Sequence, residues 1–307
     1  MGWWKYKSPK KGTQWTGMIM LASSVLLSAF FAGLVATGVT LAIERWGGLV
    51  GGVLGTVPST IVPAAAGMHL SGNEDELLQS MAIVPLGMLL NALFLGVWVT
   101  LPSRLGERRP LLITTLVSLL VWACAGVILL MIISKATSLG ASHWTIGFVG
   151  LFLLIALAVR FNLEARPAPK GTHRVHLPVL IGRGAAAALA IGCAVWLSGQ
   201  GLPLLAGLAA VFPAIFLTSM VALWLAQGET VPQGAAGPMM LGGVSVAVYA
   251  LVVMWSIPAL GPVLGSLLAW FASVGGWSFP VYLILRRRDI NHSLLESNAL
   301  QPEPLQS

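Results

Sequence analysis

Residues 52–67 read GVLGTVPSTIVPAAAG, with two prolines, a Ser-Thr pair and three glycines inside a run otherwise apolar enough to cross a bilayer. A proline within a helix removes one hydrogen bond and frees a carbonyl, which in hydrocarbon costs several kcal/mol unless another donor takes it up. Ser59 and Thr60 lie beside Pro58, with Pro63 about one turn later, so hydroxyls are at hand to take that carbonyl. A sequence that breaks a spanning helix and supplies polar groups at the break describes a discontinuous helix lining a solute path. It equally describes a kink that only shapes packing between helices.

The surroundings of this stretch set the class of protein. Of 307 residues, 57% are hydrophobic and 9% charged, too few polar groups to wet the surface of a soluble domain. The formal charge is +7, but lysines and arginines fall almost entirely between apolar runs, where they report topology and exclude a nucleic-acid surface. Two cysteines, Cys124 and Cys193, lie far apart in apolar runs and suggest neither a disulfide framework nor a thiolate metal site. Nine segments are long and apolar enough to span: 16–43, 47–70, 78–101, 111–134, 144–161, 178–198, 202–226, 232–257 and 260–286. The last carries Gly275, Gly276 and Pro280 and reads as one kinked helix. Residues 1–15 form a basic N-terminal segment, and 287–307 read as a polar, disordered tail. Trp3, Trp4, Trp15, Trp46 and Trp144 stand where interface anchors belong.

Loops carrying Arg104, Arg108 and Arg109, Arg166, Lys170 and Arg174, and Arg286 to Arg288 are separated by even numbers of helices and share a side, expected to be cytoplasmic. The acidic loop 72–76 then lies opposite, together with Lys5, Lys7, Lys10 and Lys11, against the usual bias. Either the N-terminus is external or the second segment is a re-entrant hairpin.

Laying Pro58 over Pro213, 155 residues on, brings five landmarks into register: Gly52 with Gly207, Pro58 with Pro213, Glu74 with Glu229, and Leu86-Gly87 with Leu241-Gly242. The chain then divides into a four-helix unit at 16–134, a linking helix at 144–161 and a second four-helix unit at 178–286. A single linking helix inverts the second unit, so the expected fold is all-α, a 4+1+4 inverted repeat.

Residues 206–229, AGLAAVFPAIFLTSMVALWLAQGE, resemble the Gly-then-Phe-Pro second helix of the small four-helix GlpM-like bacterial membrane proteins of undefined function, with a fainter copy at 52–74. The resemblance implies a small four-helix membrane unit, here fused in duplicate, and no chemistry.

In the second unit Thr218 and Ser219 lie one to two turns after Pro213, where their hydroxyls are the expected partners of the freed carbonyl. Asn91 in the third segment, and Ser245 with Tyr249 one turn apart in the eighth, are polar groups within apolar helices that would complete a cavity or tie helices together. Glu74 and Glu229 stand at matching loops, as helix-start carboxylates or as coupling groups, and Asn73 is a second capping residue. Gly47, Gly51 and Gly55 strip one face of the second segment for close packing. No Asp or Glu lies deep in a segment, which argues against a buried-carboxylate proton pump.

His69 has no second ligand at metal spacing, and Met239 with Met240 are ordinary apolar filler, so no metal and no cofactor is implied. No nucleophile elbow, zincin motif, phosphate loop or aspartate cluster supports an enzyme. The expectation is a carrier or facilitator in the cytoplasmic membrane for a small neutral or weakly polar solute, with substrate-binding groups at Pro58, Ser59, Thr60, Pro63, Asn91, Pro213, Thr218, Ser219, Ser245 and Tyr249. Its partners would be the bilayer and that solute, with a homodimer left open. The alternative is a non-transporting scaffold or assembly factor for envelope or lipid-linked sugar export.

Overall fold

The computed structural model describes residues 11–46, 57–106, 110–163 and 177–299. Among these residues all regular structure is helical. The helices are α1 (Lys11–Trp46), α2 (Ile61–Ser71), α3 (Glu74–Thr100), α4 (Pro102–Leu105), α5 (Pro110–Ser138), α6 (His143–Leu163), α7 (Leu177–Gly199), α8 (Pro203–Ala210), α9 (Ala214–Gln227), α10 (Thr230–Ser273) and α11 (Phe279–Ala299). A π-helical turn, Val274–Ser278, joins the last two. It falls at the expected Gly275-Gly276 kink, where a glycine pair tolerates the wider turn, and the rod continues through it.

Large apolar side chains cover the outside of the bundle, among them Leu26 (70% exposed), Met131 (70%), Phe152 (72%) and Leu189 (70%). That surface suits acyl chains and not water. With seven helices among the described residues long and apolar enough to cross a membrane, the chain is a polytopic α-helical membrane protein.

The seventh of these spans, Thr230–Arg288, is 59 residues long. Straight, it would reach about 90 Å, three times the hydrocarbon thickness. It doubles back instead at Gly261, where φ is 77° and the backbone leaves the helix. Ser256 Oγ donates to the Gly265 carbonyl at 2.9 Å and the Trp277 indole N–H to the Leu241 carbonyl at 2.8 Å, so the arms 230–260 and 262–288 run antiparallel. They correspond to the eighth and ninth expected segments. The second expected segment is represented only by α2, 11 residues long, because 47–56 and the glycine face proposed there lie outside the described residues.

The centre of the bundle is α3, most of whose residues are buried, packed on the first arm of α10; α5, where only Thr114, Ser118, Gly126 and Ile133 are buried, faces outward. α1 and α7 pack antiparallel along glycines. A β-carbon on Gly33 would lie 3.2 Å from the Gly184 carbonyl oxygen, and one on Gly199 would strike Leu21. Gly72 lies against Ser198, so the start of α1, the acidic loop and the end of α7 share one end of the bundle. Phe161 against Gly96, Trp98 against Trp224 at 5.9 Å, and Arg288 on the Asn162 carbonyl at 3.0 Å gather the basic-loop helix ends at the other. The start of α1 thus belongs with the acidic loop, the arrangement that an external N-terminus requires.

α3 begins with a reciprocal cap, Asn73 Oδ1 accepting from the Glu76 N–H at 2.8 Å while Glu76 Oε2 accepts from the Asn73 N–H at 3.3 Å. Asn73→Ala is expected to lower the stability of the purified protein by about 1 kcal/mol, read as a shift in its detergent unfolding midpoint.

At the other terminus the disorder expected over 287–307 is corrected as far as Ala299, where α11 ends; 300–307 lie outside the described residues. Arg, Leu and Glu are good helix formers, so the apolar rod carries on as a polar helix although its hydrophobic periodicity has ended.

Candidate functional site

The later proline break is described on both sides. α8 stops at Ala210, and Val211 and Pro213 take non-helical backbone angles before α9 begins at Ala214. The Phe212 N–H turns back to the Ala209 carbonyl at 3.1 Å, and the Ala214 N–H closes a tight turn onto the Phe212 carbonyl at 2.7 Å. The Val211 carbonyl is left over. Asn91 of α3 takes it, its Nδ2 donating at 2.9 Å. The Asn91 Oδ1 in turn accepts the Trp122 indole N–H from α5 at 2.8 Å, and the Trp122 ring stands edge-on to Phe212 at 5.4 Å. One buried amide thus joins three segments at the break.

Two glycines let the broken helix come this close. A β-carbon on Gly207 of α8 would collide with the Ser80 carbonyl oxygen of α3, and one on Gly87 would strike the Val211 side chain. These are the Gly207 and Gly87 of the sequence register, which gives both a packing reason.

The expectation that Thr218 and Ser219 supply the missing partner is corrected. Thr218 Oγ1 donates to the Ala214 carbonyl at 2.8 Å and Ser219 Oγ to the Ile215 carbonyl at 2.6 Å, both within α9's own first turns. A hydroxyl one turn away always has such a carbonyl in reach, whereas the break lies behind it. Ser219 Oγ also accepts from Arg183 Nη2 of α7.

The earlier break is described from Val57. The Ser59 N–H turns onto the Val57 carbonyl at 2.7 Å around the buried Pro58. Ser59, Thr60 and Pro63 are half-buried, and Thr60 precedes α2 without a side-chain capping bond. α2 packs on α1, α7 and α10, while α8 packs on α3.

The remaining expected residues do not converge on either break. Ser245 Oγ donates to the Gly242 carbonyl at 2.8 Å within its own helix. Tyr249 is wholly buried in the first arm of α10, and its hydroxyl faces that of Ser266, buried in the second arm. Glu74 is exposed in the first turn of α3, and Glu229 precedes α10 and accepts from Gln233 Nε2 at 3.0 Å. Both carboxylates stand at helix starts, where the macrodipole favours them.

Three residues went unnoticed in the sequence: Trp122, Arg183 and Asn162. Asn162 is buried on α6, its Nδ2 donating at 2.7 Å to the Gly237 carbonyl of α10. A signal for Trp122 was present, since Ser118-x-x-x-Trp122 returns 155 residues later as Ser273-x-x-x-Trp277. For Arg183 it was a lone cation within LIGRGAAAALAIG.

The bundle has a groove of about 420 Å³ bounded by Pro110, Thr115 and Trp224, and another of about 200 Å³ beside Asn162 and Arg288. Neither reaches a break.

Fold and site together define the class as a polytopic helical membrane protein, one of whose spans, Pro203–Leu225, is interrupted at Pro213. No protein-family model, curated protein or solved structure matches the chain.

Proposed function

We propose that the protein is a membrane transporter, a carrier or facilitator of a small neutral or weakly polar solute, with two inverted four-helix units of the kind the GlpM-like resemblance suggests. The observation that carries this reading is the likeness of the two breaks. Each is a tight turn around a proline, closed by the Ser59 N–H on Val57 and by the Ala214 N–H on Phe212, both at 2.7 Å and all three residues 155 apart. Repeated interruption of paired helices is the way carriers expose backbone groups to a solute near the midplane.

The inverted relation has support of its own. Met88 Cε would lie 2.7 Å from a β-carbon on Gly243, and the Ala188 β-carbon 3.3 Å from one on Gly33. In each pair a residue touches its own counterpart 155 residues on, across antiparallel helices. Such self-contacts arise where a two-fold axis in the membrane plane passes between helices. On this reading the crossings number nine, with α2 part of the second, the basic-loop end faces the cytoplasm, and the membrane is the inner or plasma membrane.

A scaffold is the second reading, favoured by the closed later break, where Asn91 satisfies the Val211 carbonyl and neither groove comes near. Cysteine scanning decides between them. With Cys124 and Cys193 replaced, single cysteines at 57–65 and 210–220 are labelled by a membrane-impermeant thiol reagent from each side. The transport reading expects labelling near 59–60 and 214–219 from alternate sides. Complete protection from both sides overturns it and leaves the scaffold.

A further inference from the structure

We propose that the groove between α6, the first arm of α10 and α11 binds an anionic phospholipid, with an acyl chain along its length and the phosphate on Arg288. The groove measures about 200 Å³ and is walled by Val159 and Leu163 of α6 and by Val281 and Ile284 of α11, with Leu241 on its α10 side and Arg288 at one end. A free anion would gain nothing from those walls, since it needs donors all round. An apolar trough ending in a single guanidinium matches a molecule that is hydrocarbon along most of its length and anionic at one tip.

Placement agrees with that occupant. Leu163 (67% exposed) and Ile284 (58%) open the groove sideways, toward the surrounding acyl chains. Arg288 lies at the basic-loop end, next to the exposed Arg286 and Arg287, where headgroups lie in the proposed topology. Two hydrogen bonds join the trough's walls: Asn162 ties α6 to the Gly237 carbonyl of α10 at 2.7 Å, and the Trp277 indole N–H donates to the Leu241 carbonyl at 2.8 Å. The Arg288 contact with the Asn162 carbonyl, at 3.0 Å, occupies one of the five N–H donors of a guanidinium and fixes its position. The rest of the fork has the geometry that recognises phosphate oxygens in pairs. The groove touches neither proline break, so this site stands whether or not the protein is a carrier.

Native mass spectrometry of the full chain in mild detergent, offered equal amounts of phosphatidylglycerol and phosphatidylcholine, tests the proposal. The wild type is expected to retain phosphatidylglycerol about fivefold over phosphatidylcholine. Arg288→Gln should abolish that preference, and so should Val281→Trp, which keeps the charge and fills the trough. Arg104→Gln, a basic change at the same end but outside the groove, should leave it intact. Equal retention of the two lipids by the wild type overturns the proposal, as does a preference that survives Val281→Trp. Should Arg288→Gln fail to fold, the wild-type preference and Val281→Trp still decide. Displacement of phosphatidylglycerol by millimolar inorganic phosphate, with Val281→Trp silent, would assign the site to phosphate ion and overturn the lipid.

Discussion

Gly207→Ala is expected to destabilise the protein by about 3 kcal/mol, and Gly207→Leu to prevent folded protein from accumulating. The first atom a β-carbon meets there is the Ser80 carbonyl oxygen, part of the α3 backbone, so no rotamer change relieves the collision. α8 must lift off α3, which pulls Val211 away from Asn91 and opens a void that hydrocarbon packing cannot fill. Gly87→Ala strikes the Val211 Cγ2, a side-chain atom and not backbone, so the stiff valine must shift but no main chain collides, and the change should cost about 1–2 kcal/mol. Gly182→Ala has nothing within 4 Å and should be neutral or stabilising by roughly 0.5–1 kcal/mol, because alanine is the better helix former. Reversible unfolding in mixed micelles ranks the three. If Gly207→Ala unfolds where Gly182→Ala does, the close approach of α8 to α3 is wrong.

The next largest effect is expected at Asn91. Asn91→Leu leaves the buried Val211 carbonyl without its donor and the half-buried Trp122 indole without its acceptor. Each such group costs about 1–3 kcal/mol in water-soluble proteins and somewhat less between membrane helices, so a loss of about 2–4 kcal/mol is expected. Trp122→Phe removes one bond of the two and should cost about 1 kcal/mol alone. In the Asn91→Leu background the same change should cost less, because its partner has already gone. Strict additivity in that double-mutant cycle would mean that the two side chains do not share a network.

Much of this fold was legible because its main signal is local. Runs expected at 144–161 and 178–198 are α6, His143–Leu163, and α7, Leu177–Gly199, for an apolar stretch of spanning length has few other solutions. The break at Pro213 was legible for the same reason, since a proline's missing N–H is a property of one residue. Legibility failed where the answer lay across the bundle. Asn91 and Val211 are 120 residues apart, and beside Pro213 the hydroxyls of Thr218 and Ser219 looked the nearer donors. The contact of Arg183 with Ser219 likewise joins two segments whose packing no periodicity encodes. Tyr249 and Ser245 were placed in the right helix, yet helical spacing alone did not say whether they faced a break or the other arm of the α10 hairpin. Ser118-x-x-x-Trp122 and Ser273-x-x-x-Trp277 were readable and went unread, because the register was sought in prolines and glycines.

The Asn91 clamp has no mate. The position 155 residues on is Val246, which has no side-chain donor to offer a loose carbonyl. If the two halves exchange roles, as inverted-repeat carriers do, the exchanged conformation lacks this bond. A difference of about 1–3 kcal/mol would hold the two orientations at roughly 5:1 to 150:1. Such a carrier idles facing one side, and its cargo or a gradient must supply the energy to turn it to the other.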